Sequence, residues 1–362
     1  MQTKSEQELI ELVRTRARAY LKLPNVTSVG VGHRKVDGQS TGELVIQFTV
    51  GKKLAPEMVA AEGLTMLPET ITAEDGTEVR VDVVERSYAP SFRIVEPTPV
   101  ALLAAEQLTP AQTRRRRLDP VQPGISVSHI GGTAGTLGAI VYDVANGTPY
   151  ILSNWHVLNG VGGKVGDLVV QPGPFDDANT SANAAGRLVR SHVGLAGDCA
   201  ISSIVGRKVD PRILELGVVP RRIAEPEIGD RVVKSGRTTG VTYGVVHRTG
   251  VVANMDYGAG NVEVGGFEIE PNAKKPASDG EISSGGDSGS AWMVDAGGAE
   301  RDVMVGLHFA GETDPNPTEE HALACNARSV LEKLQVTLAP PKGEALAATR
   351  TTAPRRKRAA RT

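Results

Sequence analysis

Ser283-Ser284-Gly285-Gly286-Asp287-Ser288-Gly289-Ser290 is the stretch around which the chain is organised. Its centre, Gly286-Asp287-Ser288-Gly289, combines a hydroxyl with residues that allow an unusual backbone turn. A serine hydroxyl is a weak nucleophile until a base takes its proton. The oxygen of an attacked carbonyl becomes negative, so donors must already point at it. A glycine-rich turn lets two backbone N–H groups, those of Gly286 and Ser288, converge on one spot. Gly, Asp and Ser are also ordinary turn residues, so the stretch gains force only from what stands upstream.

Upstream, Leu152-Ser153-Asn154-Trp155-His156-Val157-Leu158 places a histidine at the end of an apolar strand pattern. Gly197-Asp198-Cys199-Ala200-Ile201 places an acid at the start of another, 42 residues later, and Ser288 follows after a further 90. The order His, Asp, Ser is one of the three known orders for a catalytic triad. His156 would take the proton of Ser288 and return it to a leaving amine, and Asp198 would hold the imidazole tautomer.

The rest of the chain frames this constellation. Its 362 residues, 40% of them apolar, suffice for two domains or for one large domain and an appendage. Forty-one glycines and 22 prolines favour short strands joined by turns. The formal net charge of −2 excludes a general polyanion binder, although Arg114-Arg115-Arg116-Arg117 and Arg355-Arg356-Lys357-Arg358 are local basic runs. No apolar stretch spans a membrane and the first residues lack a signal-peptide core. Two cysteines, Cys199 and Cys325, exclude a disulfide framework but allow one bridge. The expected location is cytoplasmic.

Residues 1–97 read as a small α+β domain: a helix over 6–23, then strands over 26–31, 43–50 and 78–84. Residues 98–123 read as a solvated linker that includes the four arginines. From residue 124, about twelve evenly spaced short strands predict a mainly β double barrel, six strands over 124–210 and six over 211–338. A closing helix is expected over 327–334 with Asn326 as N-cap. Residues 339–362 read as a basic disordered tail.

These motifs resemble the chymotrypsin-like serine proteases. Lys234-Ser235-Gly236-Arg237-Thr238-Thr239-Gly240 is similar to the Ser-Gly-x-Thr-Thr-Gly segment of the bacterial streptogrisin and α-lytic group. Val233, Tyr243 and Val157 stand where that group has disulfide cysteines. Leu23-Pro24-Asn25-Val26 and Leu152-Ser153-Asn154 resemble bacterial relatives of the plant narrow-leaf trypsin-like proteins. The resemblance implies a double six-stranded antiparallel barrel and a Ser-His-Asp endopeptidase. It also implies that Arg237 pairs with Asp287, holding the oxyanion hole without zymogen cleavage, so that the full-length chain is competent.

Ile282, six residues before Ser288, stands where trypsin carries its specificity aspartate, so a basic P1 residue is not expected. Val305-Gly306-Leu307-His308-Phe309-Ala310-Gly311 would wall the primary pocket and pair with substrate as an added strand. Its Gly-x-His resembles staphylococcal glutamyl endopeptidase and the picornaviral processing proteases, which implies that His308, with Ser283 or Ser284, selects Glu or Gln. A protonated His308 would strengthen Glu binding below about pH 6.5. The expected substrate-binding set is thus Ile282, Ser283, Ser284, His308 and Gly311. The remaining histidines show no metal-ligand spacing, and neither a metal nor a cofactor is expected. The expected partners are protein or peptide substrates. Nucleic acid could bind only through the basic tail, no membrane is involved, and self-association is compatible with the sequence. The competing function is a catalytically quiet scaffold that binds a partner.

Overall fold

The computed structural model describes residues 4–36, 39–90, 109–258, 260–296, 298–312 and 320–341. The basic run at 355–358 and the apolar patch at 100–105 lie outside them.

Helix α1 (Glu6–Thr15) opens the chain. Ser5 and Glu8 form a reciprocal capping box, and Leu9, Ile10, Leu12 and Val13 form its buried face. The single helix expected over 6–23 instead breaks at Arg16, where the backbone leaves helical geometry, and resumes as a 3-10 turn over Ala17–Lys22. Strands β1 (Val26–Val36), β2 (Gln39–Val50), β3 (Thr70–Thr72), β4 (Glu78–Glu85) and β5 (Tyr88–Pro90) follow, with the short helix α2 (Pro56–Ala61) after β2. The run expected as solvated linker contains helix α3 (Pro110–Arg114), capped by Thr109. Arg114 is buried there, donating to the carbonyl of Gly124 at 2.9 Å and to Ser235 Oγ at 2.8 Å, and pairing with Glu215. Burying a guanidinium requires such partners, which is why that part of the run is structural.

The first barrel holds β6 (Ser126–His129), β7 (Gly135–Thr136), β8 (Ala139–Asp143), β9 (Pro149–Ser153), β10 (Leu168–Val170), β11 (Ala184–Gly194) and β12 (Gly197–Ser202), with helix α4 (Trp155–Leu158) after β9. The second holds β13 (Arg222–Ile223), β14 (Arg231–Gly236), β15 (Gly240–Asp256), β16 (Asn261–Pro271), β17 (Ala291–Val294), β18 (Val303–Glu312) and β19 (Ala322–Asn326). Helix α5 (Ala327–Leu334) and β20 (Val336–Thr337) close the described chain. No strand forms over 216–220, where one was expected. The β15–β16 hairpin is much longer than expected, because β15 extends outward to pair with β1 of the N-terminal sheet and β16 runs beside it. Asn326 stands at the N-cap of α5, but its side chain makes no capping bond and reaches Glu225 instead.

Strands order as β20-β8-β9-β12-β11-β10-β6-β7 in one sheet and as β14-β17-β18-β19-β16-β15-β1-β2-β4-β3 in the other, where β14 also pairs with β15. The fold is mainly β, with two curled, largely antiparallel sheets and a closing helix in the chymotrypsin-like double-barrel arrangement; β2 with β4 and β13 with β18 are parallel pairs. Val127, Ile140, Ile151, Leu158 and Val169 fill the first barrel. Val232, Phe267, Ile269, Trp292 and Val305 fill the second. A third core lies where the sheets and α5 meet, around Leu152, Cys199, Met293, Phe309, Leu323 and Leu331. The N-terminal unit has its own core between α1 and β1–β2, yet its sheet is hydrogen-bonded to the second barrel, with Ser28 opposite Ala253 and Val29 opposite Val252. Among the described residues no helix is long and apolar enough to cross a membrane.

Candidate active site

The site lies where the two sheets face each other. Strand β9 ends at Ser153, and one turn of helix carries His156. Asp198 begins the neighbouring strand β12, in register with β9 at Ala200 opposite Ser153. Asp198 is fully buried and accepts three bonds: from the His156 backbone N–H at 3.2 Å, from the His156 Nδ1 side of the ring, and from the Tyr257 hydroxyl at 2.7 Å. Asn154 Nδ2 donates to the Asp198 carbonyl at 2.7 Å, and the Asp198 N–H donates to Cys325 Sγ at 3.2 Å. With Nδ1 given to the carboxylate, Nε2 is the basic nitrogen of the ring. Both cysteines are free and buried, so no bridge forms between them.

Ser288 sits in a tight turn held by the opposite sheet. Thr136, at the end of β7, is the clamp. Its N–H donates to the Ser288 carbonyl at 2.7 Å and its hydroxyl to the Gly286 carbonyl at 2.8 Å. Ser153 Oγ in turn donates to the Thr136 carbonyl at 2.7 Å, tying the Ser288 turn to the strand that leads into His156. Gly286 and Gly289 have φ of +100° and +94°. A Cβ on Gly289 would lie 2.1 Å from Ser153 Oγ and 2.3 Å from the Thr136 carbonyl, so both the backbone and the space demand glycine. Gly289→Ala is expected to lower kcat at least ~10²-fold by displacing the turn, checked against an unchanged circular dichroism spectrum. Ser288 Oγ is buried and bonds to no other described residue. Among the described residues, the N–H groups of Gly286 and Ser288 go to no internal acceptor, whereas that of Asp287 goes to Ser284 and that of Gly289 to His308.

The expected pairing of Arg237 with Asp287 is corrected. Asp287 is fully buried and pairs with Lys234 Nζ at 3.1 Å. It also accepts from Thr239 Oγ1 at 2.6 Å and from the N–H groups of Thr238, Ser284 and Thr239 at 2.8, 3.1 and 3.2 Å. Lys234 reaches it because it points inward from β14, at the hydrogen-bonded edge beside Trp292. Arg237, in the turn after β14, instead pairs with Asp176 and stacks over Phe175, its Cζ 5.4 Å from the ring centroid. Burial alone would raise the Asp287 carboxyl. The ammonium of Lys234 and the four donors outweigh it and hold the group at about 2.

His308 is fully buried, edge-on to Trp292 at 6.3 Å, with its backbone bonded to Gly289 and Ser290. Burial, reinforced by Lys234, pushes the imidazole down to about 3. Burial therefore works against the expected gain in Glu binding from a protonated His308 below pH 6.5. NMR of the imidazole should show His308 neutral at pH 5. Ile282 is buried in the second-barrel core, Ser283 is buried, Ser284 is half-buried, and Gly311 is buried in β18.

Sequence reading missed Thr136, Asn154, Lys234 and Tyr257. Tyr257 binds the same Asp198 oxygen as His156, and burial beside that carboxylate raises its phenol well above the usual range, so it stays a donor. Tyr257→Phe leaves the Asp198 carboxylate one donor short, and the expected outcome is a roughly tenfold lower kcat. His247, Glu268 and Glu270 bring donor atoms within 4.8 Å of one another. Arg86, Arg248 and Lys35 already bond these two carboxylates, which makes the cluster an ion-pair network.

No family model and no curated protein matches the chain. Solved structures do. Protease A of Thermobifida fusca is 18% identical, covering 61% of this chain and 100% of its own, with a TM-score of 0.44. A glutamic acid-specific serine protease described as using a histidine triad in substrate binding is 21% identical, covering 60% and 100%, at 0.44. The Nocardiopsis protease is 17% identical, covering 60% and 98%, at 0.44. The chain is similar to bacterial chymotrypsin-like serine proteases.

Proposed function

We propose that the protein is a serine endopeptidase acting through Ser288, His156 and Asp198. The observation that carries this reading is the buried His156–Asp198 pair together with a serine whose turn is clamped to the His156 strand through Thr136 and Ser153. His156 Nε2 takes the hydroxyl proton as Ser288 Oγ bonds to the carbonyl carbon. The N–H groups of Gly286 and Ser288 receive the oxyanion. The C–N bond then breaks, and the imidazolium gives its proton to the leaving amine. Water, activated by the same nitrogen, hydrolyses the ester. Asp198 orients the ring and stabilises the imidazolium. Lys234 takes the place assigned to Arg237, holding Asp287 and with it the oxyanion turn without a newly made N-terminus. The two free thiols fit a reducing, cytoplasmic setting.

Preference for Glu or Gln at P1 rests on His308 as a neutral donor, which requires the P1 side chain to reach a ring that is covered here. Selection should then be nearly independent of pH between 5 and 8 in a mixed peptide library. Cuts after Leu, Phe or Ala would instead make His308 a core residue and Ile282 the floor of an apolar pocket. The acyl-enzyme is tested with a nitrophenyl ester. A burst of one equivalent of nitrophenol per chain, lost in Ser288→Ala, is expected, and release without any dependence on Ser288 contradicts the proposal.

A further inference from the structure

We propose that the strand Tyr88–Pro90 is an intramolecular occupant of the substrate edge, so that the chain keeps its own backbone where residues upstream of a scissile bond would pair. The inference rests on the protease reading above and adds a regulatory contact to it.

Strand β18 has two edges. The sheet order β17-β18-β19 puts β17 on one and β19 on the other. Strand β19 pairs with Ala310 and Gly311 through Leu323 and Ala322. Strand β5 pairs with the same two residues, Pro90 opposite Ala310 and Ala89 opposite Gly311, and continues with Tyr88 opposite Glu312. It therefore lies on the β17 edge. That is the edge on which the nucleophile turn docks, with the Gly289 N–H donating to the His308 carbonyl and the His308 N–H donating to the Ser290 carbonyl, both at 2.9 Å. Strand β5 takes up the edge two residues beyond that point.

Direction and chemistry match a substrate. The pairing is antiparallel and runs from Glu312 toward Ala310, so the chain advances toward the nucleophile as the acyl side of a peptide would. Pro90 has no N–H to give, so the exchange of two backbone bonds falls to Ala89 and Gly311. Gly311 carries no side chain to hold a backbone away. The strand is also anchored. The Tyr88 hydroxyl donates to Glu268 at 2.6 Å and accepts from Arg248 at 3.2 Å, and its ring meets His321 edge-on at 5.0 Å. Glu268 is fully buried and bound by both Arg86 and Arg248. A peptide adding itself to β18 must first displace β5, whereas a reagent that needs only Ser288 and the oxyanion N–H groups need not.

Two kinds of active-site probe separate these cases in the full chain. One is a small fluorophosphonate. The other is a diphenyl phosphonate mixture randomised at P1, made with and without Ala-Ala-Pro upstream. In the wild type the upstream tripeptide should add less than about twofold to the inactivation rate. In Ala89→Pro, which cannot donate to Gly311, it should add about tenfold or more, the value of one or two backbone hydrogen bonds. Fluorophosphonate rates should agree between the two proteins. If the tripeptide accelerates the wild type as much as the variant, the occupancy proposal is wrong while the protease reading stands. If fluorophosphonate labels neither protein, the protease reading fails and this inference falls with it. Should Ala89→Pro misfold, Tyr88→Phe removes one hydroxyl and should still favour the extended probe. Independently of any variant, hydrogen exchange at the Ala89 amide of the wild type should quicken once the extended probe is attached, and unchanged protection would overturn the proposal.

Discussion

Ser288→Ala and His156→Ala should each lower kcat by about 10⁶, and Asp198→Ala by about 10⁴, with the double variant Ser288→Ala/His156→Ala no worse than either single one. The inequality follows from the geometry. In the proposed mechanism Ser288 and His156 carry the bond and the proton, so losing either removes the pathway. Asp198 only orients and stabilises, and its loss leaves Asn154, Tyr257 and the turn in place. The residual rate over water should survive in every variant, because the Gly286 and Ser288 N–H groups belong to the backbone. Assays on a small activated ester isolate these effects from access to the β18 edge. A Ser288→Ala protein with ordinary activity would remove the assignment.

Lys234→Met should destabilise the protein by about 3–5 kcal/mol, since it strands a fully buried carboxylate. That corresponds to a fall in Tm on the order of 10 °C for a domain of this size. Lys234→Met/Asp287→Asn should recover much of the loss, because both charges are then gone. The pH dependence has a definite sign. In the wild type the Asp287 carboxyl is depressed, so its contribution is present above the ordinary carboxylate pKa of about 3.9 and fades as pH falls toward 2. In Lys234→Met the carboxyl is raised by burial, so protonation relieves the variant as pH falls. The stability gap between the two proteins should therefore narrow on acidification, as read by denaturant unfolding from pH 7 to pH 4. A gap that widens would place the charge balance elsewhere.

The Gly286–Gly289 turn was legible in the sequence because its backbone restricts it: positive φ at Gly286 and Gly289 favours glycine at both positions. Helix α5 was legible from its spacing of Val330, Leu331 and Leu334, which form its buried face. Lys234 was not, because Lys234 and Arg237 are both basic and three residues apart. Which one points inward depends on where β14 ends and its turn begins. Thr136 and Tyr257 are ordinary residues locally and acquire roles only through partners 150 and 59 residues away. The joining of β1 to β15 and of β5 to β18 was hidden for a related reason. Edge pairing uses backbone groups that every residue carries, so it leaves no mark in side-chain pattern.

The most direct measurement is fluorophosphonate labelling of the full-length protein followed by mass spectrometry of the modified peptide. The account predicts one adduct per chain, located on Ser288, absent from Ser288→Ala and strongly slowed in His156→Ala. A wild-type chain that takes up no adduct, or a Ser288→Ala chain labelled equally well, would contradict it.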